Sequence, residues 1–111
     1  MPEIPKLSGR EMLILSVLTQ GEKYGLEIVD AVKKSSQGKE SISLGTLYTT
    51  LHRIEKKGFV ESRWGEATEE RGGARRRYYR PTALGARALN QSQRVYMGLW
   101  QINPRAMYGS A

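Results

Sequence analysis

Arg71, Arg75, Arg76, Arg77 and Arg80 put five guanidinium groups into ten residues, and upstream of them Thr46, Thr49, His52 and Arg53 recur at helical spacing. These side chains suit the recognition of anions. A guanidinium presents its donors in a planar fork that matches phosphate oxygens, and short hydroxyls can donate to a phosphate or a base edge. Bond-breaking chemistry finds much less to work with. His52 is the only histidine, so a catalytic histidine would have to act alone, and zero cysteines exclude a disulfide framework or a thiolate metal site. Glu55 and Glu61 have no partnering pattern for acid–base work, and no phosphate loop, dinucleotide fingerprint or nucleophile elbow is present. The residues argue against an enzyme and require no cofactor.

The overall charge points the same way. Lysine and arginine number 18 against 11 acidic residues, a formal charge of +7 over 111 residues. Such a balance in a small chain suggests a polyanionic partner, nucleic acid first and an anionic membrane surface second. The longest nearly apolar run, 12–18, is interrupted by Ser16 and falls far short of the ~20 residues needed to span a bilayer. No basic-then-apolar leader opens the chain, and the expected location is the cytoplasm.

The elements that must position these groups follow from periodicity. Residues 43–58 taken as a helix place Leu44, Leu47, Leu51 and Ile54 on one stripe, with Tyr48 at its margin. Gly45, Thr49, His52, Arg53 and Lys56 fall on the opposite arc, which holds no acidic residue at its centre. Ser43 can cap the first turn, Gly58 suits a left-handed residue after the last, and Lys56 and Lys57 complement the helix C-terminus. By itself such a helix is equally a wet surface or a groove reader.

Ahead of it, Ser8 and Glu11 have capping-box spacing, and Leu7 with Met12 that of a hydrophobic staple. A first helix is expected from Gly9, with Met12, Leu13, Leu15, Val17 and Leu18 inward and Gly21 at its end. A second begins around Tyr24 and buries Leu26, Ile28, Val29 and Val32. After Gly58 the period becomes extended: 59–64 reads as a strand, 65–74 as a turn with three glycines and three glutamates, and 75–80 as the returning strand. Three helices followed by a hairpin is the order of a winged helix-turn-helix. The expected class is mainly α with a small β-hairpin wing: 7–81 as the DNA-binding unit, 82–103 as a C-terminal dimerisation helix, and 104–111 as a tail.

That last helix opens at Pro81 and Thr82, with Thr82 as cap, and can continue to Ile102. Leu84, Ala88, Val95, Leu99 and Ile102 form one apolar stripe; Leu89, Tyr96 and Trp100 form a second beside it. The combined arc is about 160° wide, against the roughly 100° that one packing partner needs. One face is expected to pack the chain's own core and the other a second subunit, which predicts a homodimer. Trp100 then packs at the interface or, in a sharper reading, lines a cavity that accepts a planar aromatic ligand with Leu89 and Tyr96. Trp64 is expected to pack in the hairpin.

In the DNA reading, Thr46, Thr49, His52 and Arg53 reach bases or phosphates, and Ser43 with the helix N-terminus binds phosphate. Along the returning strand Arg75 and Arg77 share a face with Tyr79, and Arg76, Tyr78 and Arg80 share the other. The competing account pairs these arginines with Glu66, Glu69 and Glu70 across the turn, but the arginines outnumber the acids. An arginine-rich flap fits phosphates or a narrow minor groove.

Three blocks carry a resemblance to a known family: Y-G-L-E-I at 24–28, G-T-L-Y-x-x-L-x-R-I-E-x-x-G-F-V at 45–60, and R-R-Y-Y-R-x-T-x-x-G at 76–85. The chain resembles the PadR-like transcriptional regulators from about Leu7 to Trp100, and the middle block is the most specific. The resemblance implies a winged-helix repressor, dimeric through its C-terminal helix, with the third helix in the major groove of a pseudo-palindromic operator. It also implies that Tyr24 and Tyr48 contact phosphate. Some members of the family release DNA on binding phenolic compounds or bind flat drugs at the dimer interface, so a small planar aromatic effector is a further implied partner. With one C-terminal helix the chain looks like the short subgroup. Pro81 stands where an apolar strand residue is common, which leaves the end of the second wing strand open. Two rivals remain: a basic RNA-binding module, and a winged-helix adaptor whose arginines meet an acidic protein.

Overall fold

The computed structural model describes residues 4, 6–68 and 72–102, without the side chains of residues 100 and 102. Four helices and three short strands follow in the order α1 (Gly9–Leu18), β1 (Lys23–Tyr24), α2 (Gly25–Ser35), α3 (Leu44–Lys56), β2 (Val60–Trp64), β3 (Arg77–Pro81) and α4 (Ala83–Ile102). The sheet is antiparallel in the order β1-β3-β2. This is a winged helix, as the order of periods predicts. The tail expected at 104–111 lies outside the described residues.

The capping box of α1 forms as its spacing requires. The Ser8 hydroxyl accepts from the Glu11 amide at 3.2 Å, and the Glu11 carboxylate accepts from the Ser8 amide at 2.7 Å. Glu11 is also buried, and its other oxygen accepts from Lys57 Nζ at 3.0 Å, which ties the start of α1 to the end of α3. The inward stripe is therefore Glu11, Ile14, Leu15 and Leu18 with Val17, while Met12 and Leu13, expected inside, are half-buried. A carboxylate can hold a core position because its capping bonds and the lysine compensate its lost hydration.

Two further apolar residues depart from expectation. Leu26, expected inside α2, is 58% exposed; the core face of this helix is Ile28 and Val32. Leu44 of α3 is also exposed, and Thr50 takes the inward place beside Leu47, Leu51 and Ile54. The Thr50 hydroxyl donates to the Thr46 carbonyl at 2.8 Å, so its oxygen is satisfied within the helix and its methyl packs as an apolar group. Gly58 has φ +82°; its amide donates to Glu55 O at 3.0 Å and that of Phe59 to Ile54 O at 2.8 Å. That pair of bonds is a Schellman ending, and it turns the chain straight into β2.

The wing is a β2–β3 ladder running from Val60↔Pro81 to Trp64↔Arg77. Pro81 closes β3, and Thr82 N donates to Phe59 O at 3.0 Å just beyond it, which supplies the donor that proline lacks. β1, two residues long, pairs Lys23 with Tyr79 and Tyr24 with Tyr78; it was invisible in the sequence because two residues carry no period.

The Thr82 hydroxyl caps α4 by accepting from Gly85 N at 3.0 Å. Gly85 lies against the chain entering β2, where a Cβ would stand 1.9 Å from the Phe59 carbonyl oxygen. The apolar residues of α4 divide by length rather than by face. Ala88 and Leu89 are buried and Leu84 packs against the same core, whereas Val95, Tyr96, Met97 and Leu99 are all about half exposed. Both expected stripes thus serve the chain's own core in the first half of the helix, and Val95, Leu99 and Tyr96 of the second half face outward. Among the described residues, no helix is long and apolar enough to cross a membrane.

Candidate nucleic-acid interface

The outer arc of α3 carries Gly45, Thr49, His52, Arg53 and Lys56, all exposed, with Thr46 half-buried at its edge. Ser43 caps the helix, accepting from Thr46 N at 3.2 Å and donating to Thr46 Oγ1 at 3.0 Å. Thr49 Oγ1 donates to Gly45 O at 3.0 Å. The Ser43 and Thr49 hydroxyls spend their protons inside the helix and keep lone pairs that can accept from base amines, and a threonine methyl can touch a thymine methyl. His52, Arg53 and Lys56 have no ion-pair partner among the described residues. Arg53 shares a hollow of about 400 Å³ with Ser43, Gly45, Thr46, Thr49 and Thr50, and Arg10 of α1 closes its rim. Arg10 escaped the sequence reading because its capping helix gave no sign that it would meet the third.

The arginines of the wing are not equivalent. Arg77 is held: its Nε donates to Ser62 Oγ at 2.9 Å and its Nη2 to Glu55 at 3.4 Å, while the Ser62 hydroxyl donates to the other Glu55 oxygen. Its guanidinium also lies 5.3 Å from the Trp64 ring and 5.9 Å from that of Tyr79. Arg80 pairs with Glu61 at 2.6 Å, and Arg63 grips Glu22 through Nε at 3.0 and 3.1 Å and through Nη2. The Arg63 hydrogen bonds hold the Glu22 carboxyl below the usual carboxylate range. Arg76 instead stacks 4.3 Å over the Tyr24 ring, which meets Tyr78 edge-on at 5.7 Å; Arg63 covers Tyr78 at 4.8 Å. Arg75 is exposed and unpaired among the described residues.

Among the described residues, the acids that neutralise these arginines are Glu22, Glu55 and Glu61. Glu66 pairs with none of the arginines among the described residues, and Glu69, Glu70 and Arg71 lie outside them. The ladder sets the partners: Arg80 stands opposite Glu61 and Arg77 opposite Trp64, with Ser62 and Glu55 within reach.

Arg75, Arg76 and Arg77 line a second hollow of about 420 Å³ together with Tyr24, Gly25, Leu26, Tyr48, Trp64 and Tyr79. It joins the start of α2, the middle of α3 and the wing. Gly25 permits the approach of α3, since a Cβ there would lie 2.3 Å from the Tyr48 hydroxyl. Burial raises the pKa of the Tyr79 phenol on this wall, against the lowering effect of Arg77. Trp64, expected to pack within the hairpin, is 56% exposed at the mouth. Strand alternation alone places it on the face of Val60 and Ser62 without showing that the core ends before it.

On α4, Leu89 is buried in the chain's own core and leaves the expected interface set. Tyr96 is exposed beside Met97, and both face an open groove of about 930 Å³ whose far wall is Met12, Leu13 and Ser16 of α1. The side chain of Trp100 lies outside the described residues, and with it the expected aromatic cavity. Among the described residues no group of three His, Asp or Glu side chains could hold a metal ion.

This arrangement has relatives. Residues 14–91 match the profile of the transcriptional regulator PadR-like family. An uncharacterized protein of Lysinibacillus sphaericus is 31% identical over 81 residues, covering 73% of this chain and 72% of that protein. A transcriptional regulator from Clostridium thermocellum has a TM-score of 0.73 at 30% identity over 86% of this chain and 89% of its own. A PadR family transcription regulator from hypervirulent Clostridium difficile has a TM-score of 0.74 at 27% identity, over 90% and 99%. The Bacillus subtilis PadR, solved in complex with operator DNA, shares the fold with a TM-score of 0.65 at 22% identity, over 73% of this chain and 45% of its own.

Proposed function

This chain belongs to the PadR-like family of transcriptional regulators, and we propose that it binds a pseudo-palindromic operator as a homodimer and represses transcription from it. α3 lies in the major groove, with Thr46, Thr49, His52 and Arg53 toward the bases and Ser43 toward a phosphate. Tyr24, Tyr48, Arg75 and Arg76 meet the backbone beside it. The observation that carries this reading is the pairing pattern: Glu22, Glu55 and Glu61 neutralise Arg63, Arg77 and Arg80, while Arg53, Arg75 and Arg76 stay free of carboxylates among the described residues. Carboxylate-free guanidiniums are therefore available on α3, at Arg53, and at the hollow next to it, at Arg75 and Arg76. The operator complex of the Bacillus subtilis relative supports the choice of duplex DNA.

Dimerisation rests on the second half of α4. Val95, Tyr96, Met97 and Leu99 expose an apolar surface along consecutive turns, and the α1–α4 groove offers a matching one. The expected boundary at 81/82 moves accordingly: α4 up to Ser92 belongs to the reader's core, and the remainder is the subunit contact. A planar aromatic effector bound between subunits, against Tyr96 and Trp100, would shift the spacing of the two reading helices and release the operator.

Competition of a random-sequence duplex against a structured RNA in the same low-salt buffer tests the class. Retention of the duplex is expected; preference for the RNA would favour an RNA-binding module, and retention of neither a protein adaptor. Sedimentation of Leu99→Glu tests the assembly. The expected result is a folded monomer with weakened operator binding, whereas an unchanged dimer would remove this helix from the interface.

A further inference from the structure

We propose that the hollow between the start of α2, α3 and the wing binds a nucleoside monophosphate, and that free nucleotide held there competes with duplex DNA. The hollow, at about 420 Å³, is within the range of small-molecule sites, roughly 300–1,000 Å³. Its walls divide by chemistry. The exposed rings of Tyr48 and Trp64 offer aromatic surface on which a base can stack, a contact open to every base because each has a π face.

The anionic end has its own partners. Arg77 is neutralised by Glu55, which leaves Arg75 and Arg76 as two guanidiniums on the rim without a carboxylate partner among the described residues, a match for the nearly dianionic phosphate monoester. The Tyr48 hydroxyl is seated in the same hollow, beside Gly25. Glu27, the one acid in the first turn of α2, accepts from the Tyr24 amide at 3.1 Å and is not itself part of the lining.

This site is separate from the α4 surface, where an aromatic effector would sit between subunits. Its competition with duplex rests on the DNA reading above, because Tyr24, Tyr48, Arg75 and Arg76 serve both ligands; the binding itself does not.

The test uses Trp100→Phe, which leaves Trp64 as the single tryptophan, with GMP, guanosine and inorganic phosphate as probes. GMP is expected to quench Trp64 saturably, and guanosine or phosphate to bind about tenfold or more weakly, the loss expected for charge-assisted bonds or stacking removed. Adding Arg75→Gln and Arg76→Gln, with a native circular dichroism spectrum as control, should reduce GMP binding to the guanosine level. Guanosine binding as tightly as GMP, or GMP quenching that survives the double glutamine variant, overturns the site. GMP binding that fails to displace a labelled duplex overturns the competition. A chain that binds GMP but retains no duplex would refute the DNA reading and leave the nucleotide site standing.

Discussion

Arg75→Ala should change the salt dependence of DNA binding more than loss of Arg77 or Arg80. Each phosphate neutralised by a protein cation adds about 0.9 to the slope of log K against log salt. Arg75 is exposed and unpaired among the described residues, so its loss should lower the slope by about 0.9 per protomer, or about 1.8 for a dimer. Between 50 and 200 mM salt, that reduces the fall in affinity by roughly tenfold. Arg77 gives the contrast. With Ser62 Oγ at 2.9 Å and Glu55 at 3.4 Å, its charge is already answered within the chain. Its removal should loosen the joint between α3 and the wing while leaving the slope nearly constant. Arg80, held by Glu61 at 2.6 Å, should behave likewise. The assay is fluorescence anisotropy of one labelled duplex across a salt series, with thermal denaturation of each variant alongside. A larger slope change for Arg77→Ala or Arg80→Ala than for Arg75→Ala would refute the ranking and the pairing argument beneath it.

Gly85→Ala would gain about 0.5–1 kcal/mol of helix propensity but place a methyl 1.9 Å from the Phe59 carbonyl oxygen. Overpacking at about 1–3 kcal/mol outweighs that gain, and the melting temperature should fall by several degrees; an unchanged one would mean that α4 and β2 separate freely. Burial raises the Glu11 pKa, but the Ser8 amide and Lys57 outweigh it and hold the carboxyl below 4.5. A depressed folded pKa means that this stabilisation is present above the unfolded value and is lost as pH falls below about 4.5. Glu11→Gln should cost about 1–3 kcal/mol at neutral pH and less in acid, as urea titrations at both pH values would show; an equal loss at both would take Glu11 out of the acid response. Arg53→Gln should change which duplexes are preferred, and uniform weakening across a panel of sequences would assign Arg53 to the backbone instead.

The reading of the fold from sequence succeeded where local chemistry and period agree. Ser8 with Glu11, Ser43, Gly58 and Thr82 each mark an element boundary through a backbone bond that the residue type dictates. The reading failed where tertiary context decides. Apolar character placed Leu26 and Leu44 inside, yet each helix start projects beyond the core, and Thr50 takes an inward position because it can satisfy its own hydroxyl. The two stripes of α4 were visible, but not that the core ends near Ser92, since helix periodicity describes faces and not lengths. At the candidate interface the residue types were legible and their pairing was not. Glu22, Glu55 and Glu61 reach the arginines across 41, 22 and 19 residues of chain, and only the folded sheet brings them there. Arg10 and Trp64 joined the candidate site for the same reason.

The helix Leu44–Lys56 read as a groove reader makes one demand that can be tested without knowing the regulated gene. Rounds of selection from a random duplex library, at low and then rising salt, should enrich an inverted repeat with half-sites about one helical turn apart, roughly 10–10.5 base pairs between centres. Enrichment should be lost when Thr49 and Arg53 are replaced together. A pool that stays random after repeated rounds at low salt would contradict sequence-specific DNA binding by this chain.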